Sequence, residues 1–271
     1  MSTPHIAILG AGNIGRALAR GLVDHGDLSP AQIHLTRRHL APIDDLAAEG
    51  FPCTSDNHAA VAAAGLIILA VEPRQLAGLV SSLAPVLDPA RHVLVSIVSG
   101  VPVATVREAL GRTDVPLVRA MPNTAAALGE SMTCLARDGL APSRGEDDPA
   151  LEAANELFER IGSTLVIDEE LMTPATALTA CGIAFFLRAI RAASQGGIEI
   201  GFHPTDALRL AAQTALGAAS LVSNSGDHPE RAIDAVTTPR GCTIAGLNEM
   251  EHRGFSSAII RGIVTSAAKA G

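Results

Sequence analysis

Residues 5–15, HIAILGAGNIG, run from an apolar stretch with the character of a strand directly into a glycine-rich turn that opens a helix. In such a turn Gly10 allows the sharp bend, Gly12 lets a phosphate approach the backbone, and Gly15 permits close packing of helix on strand. The free N–H groups at the start of the helix favour an anion. The stretch therefore predicts a dinucleotide-binding site at residues 10–15.

The rest of the first half supports that prediction, because short apolar runs alternate with helical stretches. This alternation is typical of a parallel sheet covered on both faces. Two later runs, 131–135 and 164–167, flank a helix at 149–161 and are expected to extend the same sheet. Predicted strands lie at residues 5–9, 33–36, 51–54, 65–71, 92–98 and 116–119.

After Asp168 the strand-like runs stop and long helices begin, the first of them expected to start at Thr173-Pro174 and the last to be capped by Ser256. We therefore predict an α/β fold with an N-terminal Rossmann-type parallel-sheet domain at residues 1–169. An all-helical domain should follow at residues 170–271. The helices are rich in Ala and Gly and apolar on most sides, which favours a homodimer or higher homo-oligomer. Dense packing within a monomer is the alternative.

Composition excludes several other classes of function. Aromatic residues make up 2% of the chain, with no Trp and no Tyr, and the net charge is −8. A nucleic-acid or anionic membrane partner is therefore not expected. No apolar stretch looks long enough to span a bilayer. The four cysteines and nine histidines lack metal-ligand spacing, so we expect reduced thiols, a cytoplasmic location and no metal.

The tip of the second strand indicates which dinucleotide binds. A site for NAD usually places Asp or Glu there to bind the ribose 2′-hydroxyl. This chain instead has Thr36, Arg37 and Arg38. A hydroxyl and two guanidinium groups suit a 2′-phosphate, so the expected cofactor is NADP in its reduced form, NADPH. A pair of solvated surface arginines is the alternative.

Several segments together resemble pyrroline-5-carboxylate reductases over essentially the whole chain. The most specific are Met121-Pro122-Asn123-Thr124 and Thr238-Pro239-x-Gly241-x-Thr243. The others are IAILGAGNIGRALARGL, the Asp56-Asn57 pair, LAVEP, SIVSGV and EHRGFSSAIIRGI. The resemblance implies a Rossmann domain, a helical dimerisation domain, and hydride transfer from NAD(P)H to the C=N carbon of a small cyclic imine, giving proline.

The resemblance also implies site residues, named here by their positions in this chain. Thr243 would act on the imine nitrogen and is the implied catalytic residue. The substrate would be bound by Thr238, Gly241, Cys242, Thr243 and Asn123. The cofactor would be bound by Gly10, Ala11, Gly12, Asn13, Ile14, Gly15, Thr36, Arg37, Arg38, Asn57, Ala70, Val71, Pro122 and Asn123. Helix capping is the structural alternative for Thr238 and Thr243.

The chain departs from the family pattern at positions near the expected substrate. Glu72 stands where the family has lysine, Arg240 where it has the first glycine of a Ser-Pro-Gly-Gly turn, and Arg191 where it has glutamate. Two functions stay open at this point. One is an NADPH-dependent reductase of pyrroline-5-carboxylate or a related, bulkier or more acidic imine. The other is a non-catalytic NADP-binding paralogue with a decayed substrate loop.

Overall fold

A computed structural model describes residues 5–138 and 148–270, and within them a single eight-stranded sheet is seen. The strands lie in the order β3-β2-β1-β4-β5-β6-β7-β8. The first six follow the Rossmann order. Strands β1 to β3 are added outward on one side of the sheet, and β4 to β6 are added outward on the other side of β1. The strands are β1 (Ile6–Leu9), β2 (Ile33–Thr36), β3 (Cys53–Thr54), β4 (Leu66–Leu69), β5 (Val93–Ser96), β6 (Leu117–Met121), β7 (Ser131–Arg137) and β8 (Gly162–Val166).

Helices follow most of the early strands and fill the C-terminal part of the described chain. Those of the first part are α1 (Asn13–Asp24), α2 (Asp44–Ala48), α3 (Asn57–Ala63), α4 (Pro73–Leu83), α5 (Val103–Leu110), α6 (Pro149–Glu159) and α7 (Met172–Ala175). Those of the second part are α8 (Gly182–Glu199), α9 (Pro204–Ser225), α10 (Pro229–Ala235), α11 (Cys242–His252) and α12 (Phe255–Ala270).

The central strand β1 is buried on both faces, which explains its unbroken apolar sequence. Ile6 and Ile8 belong to one hydrophobic core, on the side of α1 and α6. Ala7 and Leu9 belong to a second core, on the side of α3, α4 and α5. The two cores pack on opposite faces of the sheet. They therefore hold β1 in place, and with it the glycine-rich turn that follows its carboxyl end.

The predicted strands are confirmed, with three differences. β7 pairs antiparallel with β6, whereas a wholly parallel sheet was expected. Only a short helical turn, Thr124–Leu128, joins these two strands, and so short a connection returns the chain in the opposite direction. β3 contains only Cys53–Thr54, so it is shorter than predicted, and β8 begins two residues earlier than predicted.

Two predicted helix starts were wrong. α7 begins at Met172, so Thr173 and Pro174 lie inside its first turn rather than capping it. A π-helical segment, Thr176–Ala180, continues from α7 towards α8. α12 begins at Phe255, and the N–H of Ala258 donates to the carbonyl of Gly254, so Gly254 takes the place expected for Ser256.

The chain divides into two compact units. One comprises Met1–Ala180 with Lys269–Gly271, and the other comprises Cys181–Ala268. The first contains the sheet and the second is helical, with α8 and α9 packed against each other. The domain boundary between residues 169 and 170 stays a prediction drawn from where the sequence pattern changes.

One helical stretch in the described residues, Glu169–Glu199, is long and apolar enough by length and composition alone to cross a membrane, with a mean hydropathy of 1.4. The expectation that no apolar stretch reaches that length was therefore wrong. Residues 171–187 contain no charged side chain, and Pro174 and Gly182 within them do not end the helical stretch. Its exposed side chains include Phe186, at 64%, and Leu187, at 59%.

Candidate functional site

A groove of about 790 Å³ opens at the carboxyl ends of β1, β2 and β4, where parallel sheets of this order bind ligands. Its size suits a large, extended molecule. The residues that line it come from the glycine-rich turn, the β2 tip and the start of α4. They are Gly10, Ala11, Gly12, Thr36, Arg37, Arg38, His39, Ser55, Asn57, Ala70, Val71, Glu72, Arg74, Gln75, Gly78, Leu79 and Ser82.

The three glycines of the turn are needed for different reasons. Gly10 has φ +113°, and a Cβ there would lie 2.4 Å from the carbonyl oxygen of Ala70, the residue that follows β4. A Cβ at Gly15 would lie 2.4 Å from the carbonyl oxygen of Gly10. Around Gly12, by contrast, a Cβ would meet no atom of the described residues within 4 Å. Protein packing therefore explains Gly10 and Gly15, while Gly12 leaves a cradle that a side chain would fill.

The start of α1 provides the donors for an anion in that cradle. Gly12 is its N-cap residue, and the N–H of Arg16 is the first to bond back, to the carbonyl of Gly12 at 2.9 Å. The N–H groups of Asn13, Ile14 and Gly15 precede that bond and have no carbonyl one turn earlier within the helix. The sequence has no acidic residue in this turn to compete for them. A pyrophosphate fits both the open cradle and these donors.

The β2 tip is bonded to the glycine-rich turn. The carbonyl of Thr36 accepts from the N–H groups of Gly10 and Ala11, at 3.2 Å and 2.8 Å. The guanidinium of Arg37 donates from Nη1 to the carbonyl oxygen of Ala11 at 2.8 Å. Arg38 and His39 follow with exposed side chains that line the groove. Arg37 therefore has a structural contact, whereas Arg38 and His39 present positive or ionisable groups to a ligand.

Glu72 does not leave an isolated negative charge at the groove. Its carboxylate accepts a hydrogen bond from Nε of Arg74 at 2.7 Å, and both side chains are exposed. Glu72 and Arg74 thus form a pair without net charge, at a position where the family's lysine would add a positive one. Ala70 and Val71 lie beside this pair in the lining of the groove, and their contact with the cofactor stays a prediction.

Asn123 is buried, and its backbone N–H and both polar atoms of its side chain form hydrogen bonds within the first unit. Its N–H donates to the hydroxyl of Ser131 at 3.1 Å, its Oδ1 accepts from the N–H of Ala125 at 3.0 Å, and its Nδ2 donates to the carbonyl of Thr179 at 3.4 Å. Pro122 is also buried. These contacts make Asn123 the cap of the turn that follows β6. Direct contact of either residue with a ligand stays a prediction.

Just before Met121, the guanidinium of Arg119 is buried in β6. Burial lowers the pKa of Arg119, and Glu169 partly offsets this through an ion pair at 3.4 Å. Glu169 also accepts from the N–H of Val103 at 2.6 Å. The carboxylate therefore links β6 to the start of α5, and it holds the end of β6 that leads into Pro122 and Asn123.

In the second unit, the residues 238–243 form a turn followed by the first turn of α11. The N–H of Gly241 donates to the carbonyl of Thr238 at 2.9 Å, and Arg240 has φ +61°. A Cβ at Gly241 would lie 2.5 Å from the hydroxyl oxygen of Thr238. Gly241, not either threonine, is the N-cap residue of α11, so the capping alternative is wrong.

The first turn of α11 is suited to an anion. It contains Cys242 and Thr243, and its sequence has no acidic residue. The backbone N–H groups of this turn have no carbonyl one turn earlier within the helix. Cys242 is exposed and Thr243 half-buried. A carboxylate fits these donors, and a hydroxyl at Thr243 would stand next to them.

Sequence reasoning missed several residues that line the groove, including His39, Ser55, Arg74 and Gln75. His39 could have been found as the neighbour of Arg38, and Arg74 as the first cation after the β4 end. Asn57, which was predicted, begins α3 after the Asp56 cap. In the part of the chain that is described, no three His, Cys, Asp or Glu side chains form a group that could hold a metal ion.

The sheet order, the glycine-rich turn and the groove define this chain as a dinucleotide-binding protein of the Rossmann class. Two family descriptions match it: NADP oxidoreductase coenzyme F420-dependent at residues 5–100, and pyrroline-5-carboxylate reductase dimerisation at residues 169–271. The chain belongs to the pyrroline-5-carboxylate reductase family. Its relatives at high identity over nearly the whole chain support that assignment.

Two relatives come from Dictyostelium discoideum. Pyrroline-5-carboxylate reductase 2 is 48% identical over 98% of this chain and 91% of its own length. Pyrroline-5-carboxylate reductase 1 is 52% identical over 98% of this chain, which spans 49% of that protein. A crystal structure of Plasmodium falciparum pyrroline carboxylate reductase with NADP bound shares the fold, with a TM-score of 0.87 at 21% identity over 100% of this chain and 98% of that one.

Proposed function

We propose that this chain reduces a small cyclic imine with NADPH, and that pyrroline-5-carboxylate, giving proline, is the substrate. The observation that carries the proposal is the groove at residues 10–15, whose Gly12 cradle opens beside the cationic tip of β2. The names of the relatives supply the substrate class. We assign cofactor binding to residues 1–169, and substrate binding and subunit association to residues 170–271.

The residues of the groove fit NADPH. Gly10, Ala11, Gly12, Asn13, Ile14 and Gly15 would hold the pyrophosphate, Thr36, Arg37 and Arg38 the 2′-phosphate, and Asn57 the adenosine ribose. Ala70, Val71, Pro122 and Asn123 would lie towards the nicotinamide. When bound, the cofactor supplies a hydride for the imine carbon, and the nitrogen retains a proton, so that the C=N bond becomes an amine.

The chain's own contribution to chemistry is positioning. Thr238 and the backbone around Gly241 and Cys242 would hold the substrate carboxylate, and the hydroxyl of Thr243 would orient the imine nitrogen. The sequence has no Tyr, and its only lysine is Lys269. A pyrroline-type imine is basic enough to arrive protonated, so the hydride meets an iminium carbon and no side chain has to donate the proton.

A non-catalytic paralogue is the second candidate, and the geometry of residues 238–243 argues against it. A decayed loop would have lost the features that build an anion site. This loop keeps the turn, the glycine N-cap and the hydroxyl of Thr238 packed over it. The relatives at 52% and 48% identity also carry the reductase name.

We further propose that the chain works in the cytoplasm as a homodimer or higher homo-oligomer, with no nucleic-acid or membrane partner. The match of residues 169–271 to a dimerisation family supports the oligomer. A second copy is the natural cover for exposed apolar side chains such as Phe186 and Leu187, which would otherwise face water. On this view the apolar stretch Glu169–Glu199 packs against protein rather than lipid.

The experiment that tests the proposal is NADPH consumption with a panel of cyclic imines that includes pyrroline-5-carboxylate, with proline identified as product. Thermal shifts with NADPH and NADH alone are measured in parallel. Turnover of pyrroline-5-carboxylate with stabilisation by NADPH is the expected result. Stabilisation by NADPH without turnover of any imine in the panel would instead support the paralogue.

A further inference from the structure

Residues 37–43 join β2 to α2, and this segment contains the proposed phosphate contacts. Arg16, in the first turn of α1, reaches across to the far end of this segment. Its Nη1 donates to the carbonyl oxygen of Pro42 at 2.8 Å and to Oδ1 of Asp45 at 2.9 Å. Its Nη2 bonds to Oδ2 of the same carboxylate. One guanidinium therefore holds both the backbone before α2 and the first turn of α2.

Arg20, one turn further along α1, extends the network. Its Nη2 donates to Oδ2 of Asp45 at 2.9 Å and to Oε1 of Glu49 at 2.5 Å. The hydrogen bond from Arg16 is the main cause that lowers the pKa of Asp45, to about 2, and Arg20 adds to it. Asp45 thus stays charged at any pH at which the enzyme would work, so its ion pairs with Arg16 and Arg20 persist.

The near end of the segment is held as well. The N–H of Arg37 donates to the carbonyl of Thr54 at 3.2 Å, and its side chain bonds to Ala11. Arg38 and His39 stand between these two anchors, on the rim of the groove. Their positions therefore depend on α1, which also presents the pyrophosphate donors.

An exposed ion pair contributes little on its own. Arg16 differs because its side chain is only 24% exposed and because it makes a forked contact with a carboxylate plus a bond to a carbonyl. Lysine carries the same charge but lacks the planar fork, so it cannot reproduce this set of bonds. The network therefore specifies a position rather than merely adding charge.

We propose that Arg16 and Asp45 are positioning residues for cofactor selectivity: they touch no part of the cofactor, but they set where Arg38 and His39 meet its adenosine phosphate. The inference rests on the proposed function, in which this groove binds NADP. The consequence is selective, since NAD lacks the phosphate and makes no use of Arg38 and His39 at that point.

The test compares Arg16→Lys and Asp45→Asn with Glu49→Gln as the matched control. The control removes the negative charge of the outer partner of Arg20 and leaves all contacts of Arg16 in place. Dissociation constants of NADP+ and NAD+ are measured by titration calorimetry on the whole chain, together with KM and kcat for NADPH. Melting curves verify that each variant is folded, and Asp45→Asn provides a second route if Arg16→Lys is unstable.

We expect Arg16→Lys and Asp45→Asn each to raise the dissociation constant of NADP+ about two- to fivefold, because a partly exposed ion pair contributes that much free energy. The dissociation constant of NAD+ should change less. KM for NADPH should rise more than kcat falls, and the control should match the wild type. Equal weakening of both cofactors, or unchanged binding of both, overturns the inference while the wild-type preference for NADP+ stands. A wild type that binds NAD+ as tightly as NADP+ overturns the cofactor assignment itself.

Discussion

Arg37 and Ala11 are joined by a hydrogen bond of 2.8 Å, from the guanidinium Nη1 to the backbone carbonyl. Ala11 is buried, and its own N–H donates to the carbonyl of Thr36 at 2.8 Å. The tip of β2 and the glycine-rich turn are thus bonded in both directions. Arg37 therefore supports the shape of the pyrophosphate site, in addition to any phosphate contact.

This relationship separates the roles of the two neighbouring arginines. Arg38→Ala should raise the KM for NADPH about tenfold and leave NADH nearly unchanged, because it removes one charge-assisted contact to the 2′-phosphate. Arg37→Ala should raise the KM for both cofactors, because it also frees the carbonyl of Ala11. Steady-state kinetics with each cofactor checks this. A purely NADPH-specific effect of Arg37→Ala would show that its bond to Ala11 is dispensable.

The hydroxyl of Thr243 lies in the first turn of α11, beside the N–H groups proposed to bind the substrate carboxylate. Thr243→Ala should lower kcat about 10- to 100-fold, the value of one hydrogen bond to a charged group, and leave the dissociation constant of NADPH unchanged. Activity should remain measurable, because the proton arrives with the substrate. Single-turnover and steady-state rates with pyrroline-5-carboxylate provide the measurement.

Thr243→Ser is the matched variant, since it keeps the hydroxyl and loses only a methyl group. It should retain most of the wild-type kcat. Complete loss of turnover in a folded Thr243→Ala protein that still binds NADPH would contradict the positioning role and imply an essential proton donor.

The buried ion pair between Arg107 and Asp138 leads to a prediction about stability. The two side chains are 12% and 5% exposed, and Arg107 also donates to the carbonyl of Val115 at 2.7 Å. Arg107→Met should lower the free energy of unfolding by about 1.5–3 kcal/mol, because it removes the charge-assisted hydrogen bond to Asp138 and the bond to the carbonyl of Val115. Urea unfolding measures this. Arg253→Met, which removes a pair between exposed side chains, is the control and should change little.

The sequence predicted the features of this fold that depend on local pattern. The glycine-rich turn fixed the first strand and helix, because Gly10 and Gly15 each serve a close approach that no other residue permits. The antiparallel β7 was missed because an apolar run carries no information on strand direction. The ion pair of Arg16 and Asp45 was missed for a related reason: the two residues are 29 positions apart, and the local sequence pattern does not indicate that they meet in the folded chain.

The candidate site likewise has residues that the sequence predicted and contacts that it did not. Motifs predicted the residues of the groove, whereas the bond between Glu72 and Arg74 was found only in the structure. A substitution that reverses a charge is conspicuous in a sequence, but the neighbouring side chain that offsets it depends on rotamers. Residue-by-residue comparison with the family therefore identifies the changed charge at Glu72 but not its pairing with Arg74.

His92 leads to a prediction of pH dependence. It is 3% exposed, and burial is the main cause that lowers its pKa from 6.5, with Arg91 adding to the effect. The unfolded chain takes up this proton more readily, so the contribution of neutral His92 to stability is full above pH 6.5 and is lost as the pH falls below it. His92→Gln should therefore flatten the decline of stability between about pH 7 and 5. Equal slopes in urea unfolding of both proteins would contradict this.

The backbone of Arg240 leads to a prediction about stability. It has φ +61° after Pro239, and the N–H of Gly241 closes the turn onto Thr238, which are the features of a type II turn. Glycine suits the third position of such a turn, and an L side chain there costs about 1–2 kcal/mol. The greater freedom of glycine in the unfolded chain offsets part of that gain. Arg240→Gly should therefore change the free energy of unfolding by no more than about 1 kcal/mol, in the stabilising direction.

The same variant tests whether Arg240 selects the substrate. Its side chain is exposed, so we expect wild type to reduce pyrroline-5-carboxylate efficiently and Arg240→Gly to alter kcat/KM by less than about threefold. A guanidinium that reached the substrate would act differently, because it would favour an imine with a second acidic group. A large gain in kcat/KM on pyrroline-5-carboxylate in the glycine variant would therefore contradict the expectation. It would make Arg240 a specificity element and redirect the search to a bulkier or more acidic cyclic imine.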